Sequence, residues 1–203
     1  MKKILIPLSV FTIIGILFSG CASYSAASLN SLSSELMLSP TYGTNNNVFV
    51  TAKAFTKADC KKYLDRDVLK KGYQPIQLYI QNNSDKSYSF SLDRISLSCA
   101  RPEEVSEKVH TSTVGRAAGY GAASLILWPL AIPAVIDGVK SSQANEALDN
   151  DFSSKAARDQ IIFPHSHFNK LLFVPVNEYQ SSFTVTLIDQ ESHETTILNI
   201  VTN

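Results

Sequence analysis

Residues 117 to 136, AAGYGAASLILWPLAIPAVI, form a run of 20 positions without a charged side chain, closed by Arg116 and Asp137. Short alternating segments of strand type lie on both sides of it. This interruption governs what the chain can become. By length and polarity the run meets the rule for a membrane-spanning helix. Gly115, Gly119 and Ala123 stand four apart, a spacing of small residues that lets helix backbones approach closely. Pro129 and Pro133 lie inside the run, and each removes a helix hydrogen bond. Two helices with a break near Trp128 to Ile132 are therefore expected. A simple span would also place the two groups of strands on opposite sides of a membrane and leave each with exposed edges. An apolar helical hairpin resolves both conflicts. It inserts into a bilayer surface with Trp128 at the interface, or it packs on its own sheet or a neighbouring subunit. A true span is the third reading. Gly115, Gly119, Ala123, Trp128, Pro129 and Pro133 are the candidate residues for membrane or subunit contact.

The N-terminus says where the protein is held. Met1-Lys2-Lys3, an apolar run from Ile4 to Phe18 and the small pair Ser19-Gly20 have the layout of a secretory signal peptide. Ile4 to Gly20 is 17 residues and contains Pro7, short for a spanning helix. With Cys21 directly after the small pair, Phe18-Ser19-Gly20-Cys21 resembles the signal of bacterial lipoproteins, although leucine is usual where Phe18 stands. The resemblance covers residues 1 to 21. It implies that Cys21 receives a covalent lipid and becomes the mature N-terminus. Ala22 and Ser23 follow rather than Asp, which in Gram-negative lipoproteins implies the outer membrane. A periplasm-facing protein is expected, with surface display as the alternative. Several acyl chains anchor stably where one does not.

The leader occupies residues 1 to 20, a lipidated N-terminus and tether 21 to 46, and one domain 47 to 203 with a helical insertion at about 103 to 158. Of the 203 residues, 18 are Lys or Arg and 18 are Asp or Glu. Losing Lys2 and Lys3 with the leader leaves a slightly acidic mature chain, so no nucleic-acid partner is expected. Sparse charge with abundant Ser, Thr, Asn and Tyr suits a β-rich extracytoplasmic protein. Cys60 and Cys99 remain in a compartment that permits disulfides. They are a candidate bridge closing a loop of about 40 residues, worth about 3–4 kcal/mol; two buried thiols are the other reading.

Ala22 to Leu32, rich in Ser and Ala, reads as a flexible tether, and Pro40 to Gly43 and Asn45 to Asn47 as turns. Val48 to Phe55 reads as a strand. Thr56 with Asp59 three residues later is an N-cap pattern. Cys60, Tyr63, Leu64 and Val68 share the face of the helix that follows, and Gly72 stops it. Pro75 to Gln81 is a strand with Ile76, Leu78 and Ile80 on one face. Asn82 to Asp85 is a turn, and Tyr88, Phe90 and Leu92 are expected to return as a hairpin. Ile95 to Leu97 reads as a short strand and Pro102 to His110 as a helix through Val105 and Val109. Val139 to Arg158 reads as a helix with the stripe Ala144, Ala147, Leu148 and Phe152. Strand patterns resume at Gln160 to Phe163, Phe168 to Val174, Phe183 to Ile188 and Thr195 to Val201, with a turn at Asp189 to Ser192. The expected fold is mainly β: a sandwich whose strands bury one face each, interrupted by the helical hairpin. Ile76 to Leu97 resembles the paired strands of immunoglobulin-like domains in envelope lipoproteins.

Catalytic patterns are weak. His165 and His167 would share a strand face as metal ligands, yet no third ligand stands at a characteristic spacing, so no metal or other cofactor is expected beyond the lipid on Cys21. Asp65, Asp67, Glu103 and Glu104 read as solvated charge rather than as a hydrolytic pair. Lys61, Lys62, Arg66, Lys70 and Lys71 form a basic patch that could meet anionic lipid or peptidoglycan, with Asp59, Asp65 and Asp67 interleaved. No nucleophile elbow, phosphate loop or dinucleotide fingerprint occurs. The expectation is a non-catalytic, lipid-anchored envelope protein that scaffolds or binds an unknown protein partner or itself. An envelope hydrolase and an accessory component of a secretion or transport machine are the alternatives.

Overall fold

A computed structural model describes residues 23–32, 47–111 and 131–202, with the side chains of 131–140 excepted. Cys21, Gly115, Gly119, Ala123, Trp128 and Pro129 lie outside the described residues, as do most of the uncharged run and the turns at Pro40 to Asn46. Among the described residues, no helix is long and apolar enough to cross a membrane. The chain divides into two compact units, Ser25–His110 with Leu148–Asn203, and Met1–Tyr24 with Thr111–Ala147.

The first unit is mostly strand. Its elements are β1 (Val48–Ala54), α1 (Lys57–Leu64), β2 (Tyr73–Asn82), β3 (Tyr88–Phe90), α2 (Pro102–Val109), the last turns of α3 (Ala131–Lys155), β4 (Gln160–Ile162), β5 (His167–Pro175), β6 (Ser182–Asp189) and β7 (Thr195–Val201). They form two antiparallel sheets, ordered β1-β2-β5 and β4-β3-β6-β7. One core joins them: Val48, Val50, Ile76, Leu78, Ile80, Phe168 and Leu172 of the first sheet meet Tyr88, Phe90, Val185, Leu187, Leu198 and Ile200 of the second. The Phe90 and Phe168 rings stand 4.5 Å apart between centroids.

Three strand expectations change. β2 and β3 do not form a hairpin. Both edges of β2 are already paired, with β1 and with β5, so the turn after Asn82 carries the chain into the other sheet. Leu92 then falls in a 3₁₀ turn (Leu92–Arg94), and Ile95 to Leu97 contributes only one bridge, Ile95 to Val185. Nor does every strand bury one face. β6 and β7 alternate as expected, whereas β2 is buried along nearly its whole length. Its second face lies under the segment Asn30 to Leu32, while α3 covers β5 beside it, with the Phe152 ring stacked on Phe173 at 5.5 Å.

α3 begins at Ala131 rather than Val139. The described helix therefore includes Pro133. Leu148 and Phe152 are fully buried, but Ala147 is exposed and lies off the stripe. In the second unit, Thr111 N–H donates to Asn145 Oδ1 at 2.9 Å and Asn145 Nδ2 donates to Thr111 O at 3.2 Å.

Candidate functional site

All strands of the first unit run between two ends. One end gathers α1 and α2, and Lys155 of α3 reaches α1 from over β5. The other gathers the turns after β2, β4 and β6.

Ser25 to Leu32 is a docked strap, not a free tether. Ser25 N–H donates to Asp65 Oδ2 at 3.1 Å, beside α1. Ala27 N–H donates to Lys62 O at 2.9 Å, and Ala27 O accepts from Lys155 Nζ at 2.9 Å. Asn30 O accepts from Gln77 Nε2 at 2.6 Å and Asn169 Nδ2 at 3.2 Å. Leu32 packs on Tyr79 and Phe49. The strap therefore starts at the helical end and climbs the outer face of the first sheet. Lys155 is its clamp. Only 8% exposed, this ammonium also donates to Tyr63 O at 2.7 Å and Asp151 Oδ2 at 2.6 Å, so its three protons each have an acceptor.

α1 explains why the helical end is basic outside and acidic inside. Thr56 and Asp59 form a reciprocal capping box, and Asp59 also takes Lys53 at 3.0 Å. Asp65 ends the helix in the left-handed conformation, with φ 49°, and accepts from Ser25, Lys61 and Arg66. Asp67 accepts the Lys70 N–H and pairs with Lys57. Burial alone would raise the pKa of Asp59 and Asp65, but these hydrogen bonds and cations outweigh it and hold both carboxyls below their ordinary range. The lysines face outward, with side chains of Lys57, Lys61 and Lys70 about three-quarters exposed and Lys62 and Lys71 exposed as well.

The opposite end is sewn from loops. Buried Asn82 donates to Lys86 O at 2.7 Å and Phe163 O at 2.9 Å and accepts from Ser84 N–H and Oγ. Asn83 N–H bonds Asn47 O at 2.9 Å, and Gln190 N–H bonds Ser87 O at 2.9 Å. Asp189, 2% exposed, receives Lys86 Nζ at 2.6 Å, the Glu191 N–H and Ser192 Oγ. Those partners, Lys86 foremost, hold its carboxyl far below the usual range. Asn47, His165 and His193 take positive φ in these turns. A shallow depression here is lined by Asn47, Phe49, Asn83, Asp85, Lys86 and Glu194.

Comparison with family models, curated proteins and solved structures returns no match. Function must be read from the residues themselves.

The histidines separate. His165 faces Asp85 at 3.0 Å on an exposed turn, whereas His167 stacks on Tyr79 at 5.8 Å. His110 pairs with Asp149 at 2.7 Å. Among the described residues, no group of three or more metal-ligating side chains comes together. Glu103 pairs with Arg158 at 2.8 Å, and Glu104 pairs with Lys108 and accepts from Tyr73. Each carboxylate thus turns to a cation rather than to a second acid.

Cys60 and Cys99 are free thiols, so the candidate bridge is not formed. They belong to different parts of the unit. Cys60 lies fully buried under α1, while Cys99 packs on the main core and donates to Leu97 O at 3.7 Å. Burial pushes each thiol up to about 11, assisted at Cys60 by Asp67.

Sequence reasoning missed the strap and Lys155. Ser and Asn composition resembles a linker, and partners 128 and 139 residues away leave no local signal. The continuous apolar run Leu171 to Val174 did carry a hint, because strands buried on both faces lose their alternation.

Proposed function

We propose that this chain is a non-catalytic, lipid-anchored envelope protein that presents its loop end to a protein partner. Its place is the outer membrane, facing the periplasm. The observation that carries the reading is the course of the strap. Ser25 is fixed at the helical end, four residues after Cys21, so a lipid on Cys21 ties that end to the bilayer and points the turns after β2, β4 and β6 outward. Binding residues concentrate on loops held by a rigid scaffold. Here the scaffold is the network of Asn82 and Asp189, and Asp85, with its side chain 99% exposed, stands at the rim.

We read the fold as an immunoglobulin-like sandwich. In chain order, the constant-type arrangement is 1-2-5-4 facing 3-6-7. The order here is 1-2-5 and 4-3-6-7, which differs only in the sheet that β4 joins. An apolar hairpin at 117 to 136 remains part of the proposal, with Gly115, Gly119, Ala123, Trp128, Pro129 and Pro133 as its contact residues. A hydrolase draws less support, since His165 and His167 have separate partners. A role in a secretion or transport machine is the same reading with the machine as partner.

The test is photocrosslinking in intact cells from a photoreactive residue at position 85, beside a second protein carrying it at position 128. A discrete protein adduct from position 85 is expected. Partner binding at the loop end fails if position 85 yields none while palmitate incorporation at Cys21 is intact.

A further inference from the structure

The proposed anchoring leaves open what the helical end meets when it reaches the bilayer. Lys57 to Lys71 holds six basic residues, Lys57, Lys61, Lys62, Arg66, Lys70 and Lys71, against Asp59, Asp65 and Asp67. The three acids are turned to the capping box, to Ser25, Lys61 and Arg66, and to Lys57 and the Lys70 N–H. Lys57, Lys61 and Lys70 are paired with these acids yet keep about three-quarters of their side chains exposed, Lys62 and Lys71 are exposed as well, and six cations against three acids leave a basic excess on this face. From neighbouring α2 come Glu103, Glu104 and Glu107, the first two neutralised by Arg158 and Lys108. Lys53 is taken by Asp59 and Lys155 by Asp151.

Distance makes this charge consequential. Ser25 is four residues along the chain from Cys21, and covalent geometry limits that reach to about 14 Å. The screening length in physiological salt is about 8 Å. The reach is an upper limit of less than two screening lengths, so a lipid on Cys21 holds α1 close enough for the headgroups to come into electrostatic range.

We propose that Lys57, Lys61, Lys62, Lys70 and Lys71 form a docking surface for anionic phosphate headgroups of the bilayer that carries the Cys21 lipid. This rests on the lipid-anchor reading. The lipid alone would leave the domain free to swivel. The lysines fix its orientation, with the loop end directed away from the membrane.

The test is amine footprinting of the membrane-extracted protein, reconstituted into phosphatidylcholine vesicles with or without phosphatidylglycerol. Each basic residue at an anionic surface is worth about fivefold in binding. Labelling of the five lysines should fall at least that far, about fivefold, with phosphatidylglycerol. Lys86, at the loop end, should be unaffected, and high salt should restore the labelling. A variant with Lys61, Lys62, Lys70 and Lys71→Gln should lose the protection at Lys57. Equal labelling on both vesicles overturns the proposal. So does protection by soluble peptidoglycan fragments but not by phosphatidylglycerol, which makes an acidic polymer the ligand. Intact mass of the same sample reads the lipid independently. Protection without a lipid removes the anchor and supports the surface, whereas a lipid without protection overturns the surface alone.

Discussion

Thr56 and Asp59 satisfy each other's neighbouring backbone groups at the start of α1. Thr56→Ala should cost about 1 kcal/mol, read as a lower urea midpoint with unchanged slope. This pair was legible in the sequence because a capping box is local. Lys155 was not, since its acceptors come from Ala27, Tyr63 and Asp151. Lys155→Met leaves the Ala27 and Tyr63 carbonyls without this donor, a loss of about 1–3 kcal/mol for an unmet buried acceptor. Amide exchange at Ala27 should accelerate more than exchange within β2. The thiols make a further prediction. Cys60 and Cys99 stay protonated in the fold up to about 11, against an ordinary value of 9.0. A raised folded pKa stabilises below the unfolded value and loses that contribution as pH climbs to the folded one. Wild type should weaken between those two pH values, and a Cys60→Ala, Cys99→Ala variant should weaken less, followed by urea midpoints.

At the scale of elements, periodicity identified the strands because burial acts on neighbours two apart. It did not identify pairing. Tyr88 and Phe90 alternate as a hairpin partner would, yet β3 pairs with β4 and β6, since the choice depends on which edges β2 has left. The strap escaped for a related reason. Ser25 to Leu32 mixes Ser and Asn with Ala and Leu in no strand or helix period, and its anchors are chiefly backbone groups and the Leu32 side chain. Leu32→Glu would place a charge against Tyr79 and Phe49. Exchange protection of residues 25–32 should disappear while that of β2 and β5 persists, and loss of protection throughout would show that the strap is needed for the fold itself.

Across the whole molecule, both ends store acid-sensitive stability. Asp59 and Asp65 at one end and Asp189 at the other have carboxyls held below their ordinary range. A depressed folded pKa contributes stability that is complete above the unfolded value and lost as pH falls through the folded one. These groups should leave stability level above about pH 5 and erode it below about pH 4. Asp189→Asn should flatten that decline in a pH series of urea midpoints. The strap also sets an order of events. Its partners Lys155 and Asn169 lie 128 and 139 residues downstream of Ala27 and Asn30. The first described segment of the chain to be synthesised is therefore among the last to complete its contacts, and closing so long a loop is entropically slow. Until α3 and β5 exist, the strap has Asp65, Lys62 and Gln77 to bond but lacks the Lys155 clamp and Asn169. Completion of the strap's seat thus waits on the length of polypeptide between Ala27 and Lys155.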